Sequence, residues 1–254
     1  ASRNCPVPDD QVKENTETVQ LMQELPPRFG ENTAAGFWRS RTTGLELCQQ
    51  LTFRVRGGVV SGRFHRPGQA LGLVFEGESA PGAPLVAEKA ASVFTSRDRD
   101  GRIAPPPDSG WEGLLADACR HWARRWRTMD IRVEGDETAQ TALRYLAFQL
   151  TASCSGRDDT VSIGARGLTH ARYKGCYFWD TDLFMMPFFL YTDPPSARSL
   201  EGYRVNCLPQ ARAYAKKMNG AGARYPWMAS YDGSEQCESW DIGASELHIT
   251  ADVV

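Results

Sequence analysis

The chain has 254 residues, of which 41% are hydrophobic and 24% charged, and its formal net charge is −2. These values are typical of a globular protein and exclude a disordered, collagen-like or coiled-coil chain. The balanced charge also argues against a dedicated nucleic-acid-binding protein. The longest nearly unbroken apolar stretch, residues 183–191, is much shorter than the roughly 20 residues needed to cross a bilayer.

The N-terminal segment and the cysteines indicate where the protein resides. Residues 1–30 are polar and rich in proline, and they lack the apolar stretch of a signal peptide. The 7 cysteines form no CxxC pair, a pattern typical of reduced thiols in a cytosolic protein. We therefore expect a cytoplasmic protein that has no disulfide framework and does not bind a membrane.

The first part of the chain has the pattern of a β domain. Between residues 44 and 98, apolar and polar residues alternate in short stretches, and Gly57-Gly58 and residues 77–84 supply turns. Alternation with a period of two predicts antiparallel strands, here as part of a β-sandwich. The three prolines Pro105 to Pro107 then indicate a linker.

A helical period begins after the linker. Ser109 and Glu112 have the spacing of a capping box, and apolar residues then recur on one helix face as far as Met129. Residues 121–127 combine arginines with tryptophans, which nucleic-acid-binding segments also do. We favour an amphipathic helix, because Trp122 and Trp126 are four residues apart and so lie on one face.

Further helices are predicted towards the C-terminus. Asp136 is a plausible N-cap for a second helix that extends to Leu150. A third helix should begin after Asp193, with a kink or a split at Pro209. Residues 245–254 should begin a fourth helix. Helix pairs joined by loops indicate an array of α-hairpins.

Common catalytic motifs are absent from the sequence. It contains no GxSxG, HExxH or GxxxxGK segment, and its 4 histidines lack the spacing of metal ligands. We therefore expect no metal site and no nucleotide or other organic cofactor.

Trp179 and Asp180 form the most informative pair. An indole can pack against the apolar face of a sugar, while a neighbouring carboxylate accepts hydrogen bonds from two hydroxyls. Taken alone, the pair favours a structural alternative: Trp179 would be a core aromatic residue, and Asp180 would cap the following helix.

A series of ordered motifs extends this observation. The segments are Glu88-Lys89, residues 95–98, residues 130–136 with Gln140, Gly167-Leu168, residues 178–181, residues 222–227 and residues 248–252. Their order resembles glycoside hydrolase family 65, which contains inverting phosphorylases of maltose, kojibiose, trehalose and related α-glucosides, and related hydrolases. The resemblance covers about residues 85–254.

The resemblance implies a multidomain α+β fold. Residues 1–104 would be the later part of an N-terminal β-sandwich, 105–130 a proline linker and linker helix, and 131–254 the first helices of a truncated (α/α)6 toroid. The general acid of such enzymes is expected beyond Val254. The chain is therefore expected to be a fragment, completed by the rest of its polypeptide or by a complementary chain, and the resemblance also allows a homodimer.

The resemblance also implies a set of site residues. Trp179 and Asp180 would line the non-reducing glucosyl subsite, with further groups from the loop after Trp227 and from the last helix. The further candidates for substrate binding are Trp227, Glu235, Glu238 and His248, with Gln236 and Glu246 beside them. For the loop, simple solvation remains an alternative, and His248 could equally be a satisfied helix residue.

The implied reaction is inverting phosphorolysis of an α-glucosidic disaccharide to β-glucose 1-phosphate, with inorganic phosphate as co-substrate and no cofactor. Two alternatives stay open: an inverting hydrolase acting on kojibiose-type or trehalose-type bonds, and a non-catalytic carbohydrate-binding subunit. The chain departs from the family at Cys176, where His is common, and at Asp182, where Glu is usual. Both departures leave the acceptor specificity open.

Overall fold

The computed structural model describes residues 22–57, 64–65, 71–78, 80–98, 110–167, 172–237 and 242–254. The chain forms two compact units, residues 1–121 and 122–254. The first contains an antiparallel sheet and the second is mainly helical, so the fold is α+β.

The described part of the first unit contains the strands β1 (Met22–Phe29), β2 (Thr33–Ser40), β3 (Glu46–Arg56), β4 (Phe64–His65), β5 (Val74–Phe75) and β6 (Val86–Thr95). The four long strands form the main sheet in the order β1-β2-β3-β6, and every pairing is antiparallel. The two short strands, β4 and β5, pair with each other.

The strands β3 and β6 confirm the prediction of strands between residues 44 and 98. The sequence analysis did not anticipate β1 and β2. On β2, Ala34, Gly36 and Trp38 alternate towards the buried face. Gly36 is needed there, because a Cβ at this position would lie 2.4 Å from the indole of Trp38.

Five α-helices follow in the residues that the structure describes, and two of their predicted starts are confirmed. They are α1 (Gly110–Met129), α2 (Glu137–Ser153), α3 (Met186–Thr192), α4 (Pro194–Lys217) and α5 (Ile249–Val253). Asp136 caps α2, since its Oδ1 accepts the Ala139 N–H at 2.9 Å. Asp193 precedes α4, but its carboxylate contacts the side chains of Arg125 and Ser196 and caps no backbone N–H. The α4 helix also runs through Pro209 without being split.

Short irregular helices complete the second unit. Two 3-10 turns cover Arg172–Gly175 and Ile242–Ser245, and a π-helix, Thr181–Met185, leads directly into α3. No helix in the described part of the chain is long and apolar enough to span a membrane. The 6 cysteines of the described part are all free thiols.

The α4 helix organises the core of the second unit through two clusters. One cluster joins α4 to α5 and to the loop before it, and consists of Tyr203, Cys207, Ala211, Tyr225, Ile249 and Val253. The other consists of Ile163, Phe189, Ala197 and Leu200. Because the two clusters use successive turns of one helix, α4 connects α3 to the C-terminal segment.

Burial of Tyr203 makes the second unit sensitive to alkaline pH. Burial raises the pKa of the Tyr203 phenol, whose hydroxyl donates to the Ser230 carbonyl at 2.6 Å. An unfolded tyrosine loses its proton near pH 10. The folded state keeps the proton, so stability is fully present below about pH 10 and is lost as the pH rises towards the folded pKa.

We expect the free energy of unfolding to fall above pH 10 by about 1.4 kcal/mol per pH unit for this group. Urea unfolding at pH 9 to 11 measures this slope. Tyr203→Phe should remove this contribution to the slope, whereas the control Tyr191→Phe should keep it, because Tyr191 is 89% exposed. Parallel pH curves for wild type and Tyr203→Phe would contradict the assignment.

Candidate functional site

Asp180 lies at the start of the π-helix. Its backbone is already helical (φ −52°, ψ −35°), and its side chain caps no backbone N–H. Among the described side chains, its carboxylate has no hydrogen-bond or ion-pair partner. The alternative in which Asp180 caps a helix is therefore wrong, and the carboxylate is not used by local structure. Single-turn π-helices occur frequently at functional sites.

Thr181 anchors the chain directly after Asp180. The Thr181 hydroxyl donates to the Ile163 carbonyl at 3.0 Å, and the residue is buried. This contact joins the π-helix to the segment around Ile163, which lies 18 residues earlier in the chain. The hydrogen bond of Thr181 therefore fixes the backbone next to Asp180.

Trp179, Trp227 and His248 come together although they are far apart in the chain. The ring centroids of Trp179 and Trp227 lie 6.2 Å apart, and those of Trp179 and His248 lie 4.9 Å apart in an edge-on arrangement. The ring of Phe184 lies 5.6 Å from Trp179. We call these four residues the aromatic cluster. Three of the predicted site residues belong to it.

A short backbone bridge brings the two tryptophan segments together. Tyr177 and Ala229 exchange two N–H to carbonyl hydrogen bonds of 2.9 and 2.8 Å. Tyr177 is two residues before Trp179, and Ala229 is two residues after Trp227. The distance between the indoles is therefore set by main-chain pairing as well as by ring contact.

His248 has a carboxylate near each of its ring nitrogens. Its Nδ1 contacts the Asp252 carboxylate, and its Nε2 lies 3.8 Å from an oxygen of Glu246. The segment before it is held by Arg224, which donates to the carbonyls of Ala244 and Glu246 at 2.9 and 3.1 Å. His248 thus lies next to the carboxylates of Glu246 and Asp252, and its ring also packs against Trp179 in the aromatic cluster. Its role in sugar binding stays a prediction.

Glu235 uses its carboxylate to organise its own loop. Oε2 accepts the N–H of Trp227 at 2.8 Å. Oε1 accepts those of Met228, Gln236 and Cys237 at 3.1, 3.0 and 3.0 Å. The Gln236 side chain contacts Ser234 at 3.0 Å. Direct contact of these residues with a sugar stays a prediction, and Glu238 lies outside the described residues.

Arg204, which was not anticipated from the sequence, is buried and contacts the residues on either side of the Trp179-Asp180 pair. Its Nε donates to both oxygens of Asp182 at 3.0 and 3.1 Å, and its Nη2 donates to the Phe178 carbonyl at 3.0 Å. One guanidinium therefore holds the chain on both sides of the pair. Its spacing on α4, four residues after Leu200 and three before Cys207, was a signal that could have placed it on the buried face.

Electrostatics reinforces the Arg204 contact. Burial would lower the pKa of the guanidinium, but the hydrogen bonds and charge of Asp182 more than offset this, so its pKa is raised. The side chains of Arg204 and Asp182 are only 2% and 5% exposed. Asp182, where the family usually has Glu, is therefore half of a buried ion pair.

Comparison with known proteins identifies the class. Residues 144–254 match the model of the central catalytic domain of glycosyl hydrolase family 65. The α,α-trehalose phosphorylase of Thermoanaerobacter brockii is 36% identical over 72% of this chain and 24% of its own length. The kojibiose phosphorylase of Caldanaerobacter subterraneus subsp. tengcongensis is 37% identical over 71% of this chain and 26% of its own length. The match thus defines the class of domain that residues 144–254 resemble, a catalytic domain of this glycosyl hydrolase family.

The chain belongs to glycosyl hydrolase family 65. It spans about a quarter of the length of these curated relatives. A solved structure described as a putative kojibiose phosphorylase from the human microbiome has a TM-score of 0.70. It is 21% identical, and the alignment covers 92% of this chain and 32% of that one. This likeness establishes the fold of the segment.

Proposed function

We propose that this chain is part of an enzyme that cleaves an α-glucosidic disaccharide by inverting phosphorolysis. The products are β-glucose 1-phosphate and the released sugar. The curated relatives that support the proposal are named as phosphorylases of trehalose, kojibiose, nigerose and maltose. No hydrolase is among them, so the hydrolytic alternative is less favoured.

The observation that carries the proposal is the carboxylate of Asp180, which follows Trp179 of the aromatic cluster in the chain and has no hydrogen-bond or ion-pair partner among the described side chains. A carboxylate without a partner among the described side chains can accept hydrogen bonds from two neighbouring sugar hydroxyls. The indoles of Trp179 and Trp227, 6.2 Å apart, supply apolar surface for the C–H face of a pyranose ring. Together they can fix both the position and the orientation of a glucosyl unit.

In the proposed reaction, the glucosyl unit is transferred to phosphate in one displacement. A carboxylic acid outside this chain, expected beyond Val254, donates its proton to the glycosidic oxygen. A phosphate oxygen forms the new bond to the anomeric carbon from the opposite face, and the acceptor sugar leaves as an alcohol. The described residues bind and orient the glucosyl unit, and no cofactor is required.

The domain assignment is part of the same proposal. Residues 1–104 would belong to a β-sandwich, 105–130 to a linker with its helix, and 131–254 to the start of an (α/α)6 toroid. The four-stranded sheet and the helices of the second unit support this division. The rest of the enzyme would come from the same polypeptide or from a complementary chain, and a homodimer and a cytoplasmic location stay predictions.

A disaccharide panel with and without phosphate tests the function. The full-length protein should release β-glucose 1-phosphate from an α-glucoside only when inorganic phosphate is present. Free glucose released at the same rate without phosphate would favour the hydrolase. Glucose binding without any turnover would favour a carbohydrate-binding subunit.

A further inference from the structure

We propose that Glu235 is a positioning residue that acts through Trp227 and is neither a proton-transfer group nor a primary sugar ligand. The inference rests on the proposed function, because Trp227 is taken as a wall of the glucosyl subsite. It differs from the expectation that Glu235 presents its carboxylate to the substrate.

The backbone occupies the hydrogen-bond acceptors of the Glu235 carboxylate. An ionised carboxylate offers about four acceptor sites. Glu235 accepts four backbone N–H groups, from Trp227, Met228, Gln236 and Cys237, at 2.8 to 3.1 Å. Three of these bonds fall on Oε1. Most of the acceptor capacity of this side chain is therefore committed to the backbone.

Glu235 also holds the loop of residues 227–237 together. Glu235 binds residues at both ends of the segment 227–237, so its carboxylate links the two ends of the loop. Within the loop, the Ser230 N–H donates to the Ser234 carbonyl at 3.0 Å. The Ser230 carbonyl in turn accepts the Tyr203 hydroxyl at 2.6 Å. The loop is thus fastened to α4 in its middle and closed by Glu235 at its ends.

Trp227 is closely surrounded by other segments of the second unit. Its ring lies edge-on to Phe178 and to His248, with centroids 6.5 and 6.2 Å away. Gly243 also approaches it closely, since a Cβ there would lie 2.9 Å from the indole. These contacts enclose the ring of Trp227. The bond from its N–H to Glu235 fixes the backbone of Trp227 itself, in addition to the pairing of Ala229 with Tyr177 two residues further on.

The test substitutes Glu235 in the full-length protein. Glu235→Gln keeps the shape but turns one acceptor oxygen into an N–H₂ donor that faces backbone donors. We expect KM for the disaccharide to rise about tenfold and the near-UV circular dichroism of the tryptophans to decrease. We expect kcat to change much less, and both limbs of the pH profile of kcat/KM to be retained. The control Glu137→Gln, on the first turn of α2, should behave as wild type in every measurement.

Other outcomes overturn the inference. Loss of one limb of the pH profile, or a fall in kcat of about 100-fold with unchanged KM, would assign Glu235 to proton transfer. An unchanged KM together with an unchanged near-UV spectrum would remove the positioning role. If Glu235→Gln does not fold, Glu235→Asp, which keeps the charge with a shorter reach, is measured with the same readouts. If the wild type shows no phosphate-dependent turnover, the proposed function fails. The near-UV spectrum of Glu235→Gln still tests whether Glu235 positions Trp227.

Discussion

Asp182→Asn is expected to lower the free energy of unfolding of the second unit by about 3 to 5 kcal/mol. The substitution leaves the Arg204 guanidinium buried without its counter-charge, because Asp182 receives both its Nε and Nη2 donors. Removing one partner of a buried ion pair costs far more than the pair contributes relative to an apolar core. Urea unfolding followed by far-UV circular dichroism gives the value directly.

An exposed pair in the same unit provides the control. Arg144 donates to both oxygens of Asp130 at 2.7 and 2.9 Å, and this contact lowers the pKa of Asp130. Solvent screens that pair, so Asp130→Asn should cost much less than Asp182→Asn. If Asp182→Asn and Asp130→Asn lose the same free energy of unfolding, burial of the Arg204–Asp182 pair does not increase the cost of breaking it.

Asp180→Asn is expected to leave stability unchanged and to weaken glucoside recognition by about 1.5 to 3 kcal/mol, or about 10- to 150-fold. Stability should be unaffected because, among the described side chains, the Asp180 carboxylate has no partner to lose. Recognition should suffer because an amide replaces a charged acceptor by a neutral one and a donor. The full-length enzyme would be assayed for kcat/KM, glucose affinity and the midpoint of urea unfolding.

A surface carboxylate serves as the reference for this experiment. Asp117 on α1 pairs with Arg120 one turn away, and both side chains are more than 60% exposed. Asp117→Asn should change neither stability nor kcat/KM appreciably. Wild-type affinity and turnover in Asp180→Asn would remove this residue from the sugar site, and a large loss of stability would instead give it a structural role.

The helices were predictable because their signals are local. The period of apolar residues, the capping side chain of Asp136 and the prolines after Asp193 all act within a few residues of the helix ends. Sequence analysis located α1, α2 and α4 for this reason. The candidate pair of Trp179 and Asp180 was likewise visible as an aromatic residue next to a carboxylate.

The elements that were missed depend on distant partners. The β1 strand contains Pro26 and Pro27, which indicate a loop when seen in sequence. At the edge of a sheet these prolines are accommodated by a shift in register between Leu25 and Arg28. The π-helix at Thr181–Met185 has no simple sequence signature either, and the Thr181 hydroxyl contacts a carbonyl 18 residues away.

The amino-acid sequence alone indicated the family, the helical periods and the residue types available to hold a sugar. Tertiary structure alone decided the different uses of three carboxylates. Asp182 is neutralised by Arg204, 22 residues away in the chain, and Glu235 is bound by the backbone of its own loop. Asp180 keeps its acceptors free among the described side chains. The physical reason is that a carboxylate's role depends on which donors reach it, and folding brings those donors from other segments.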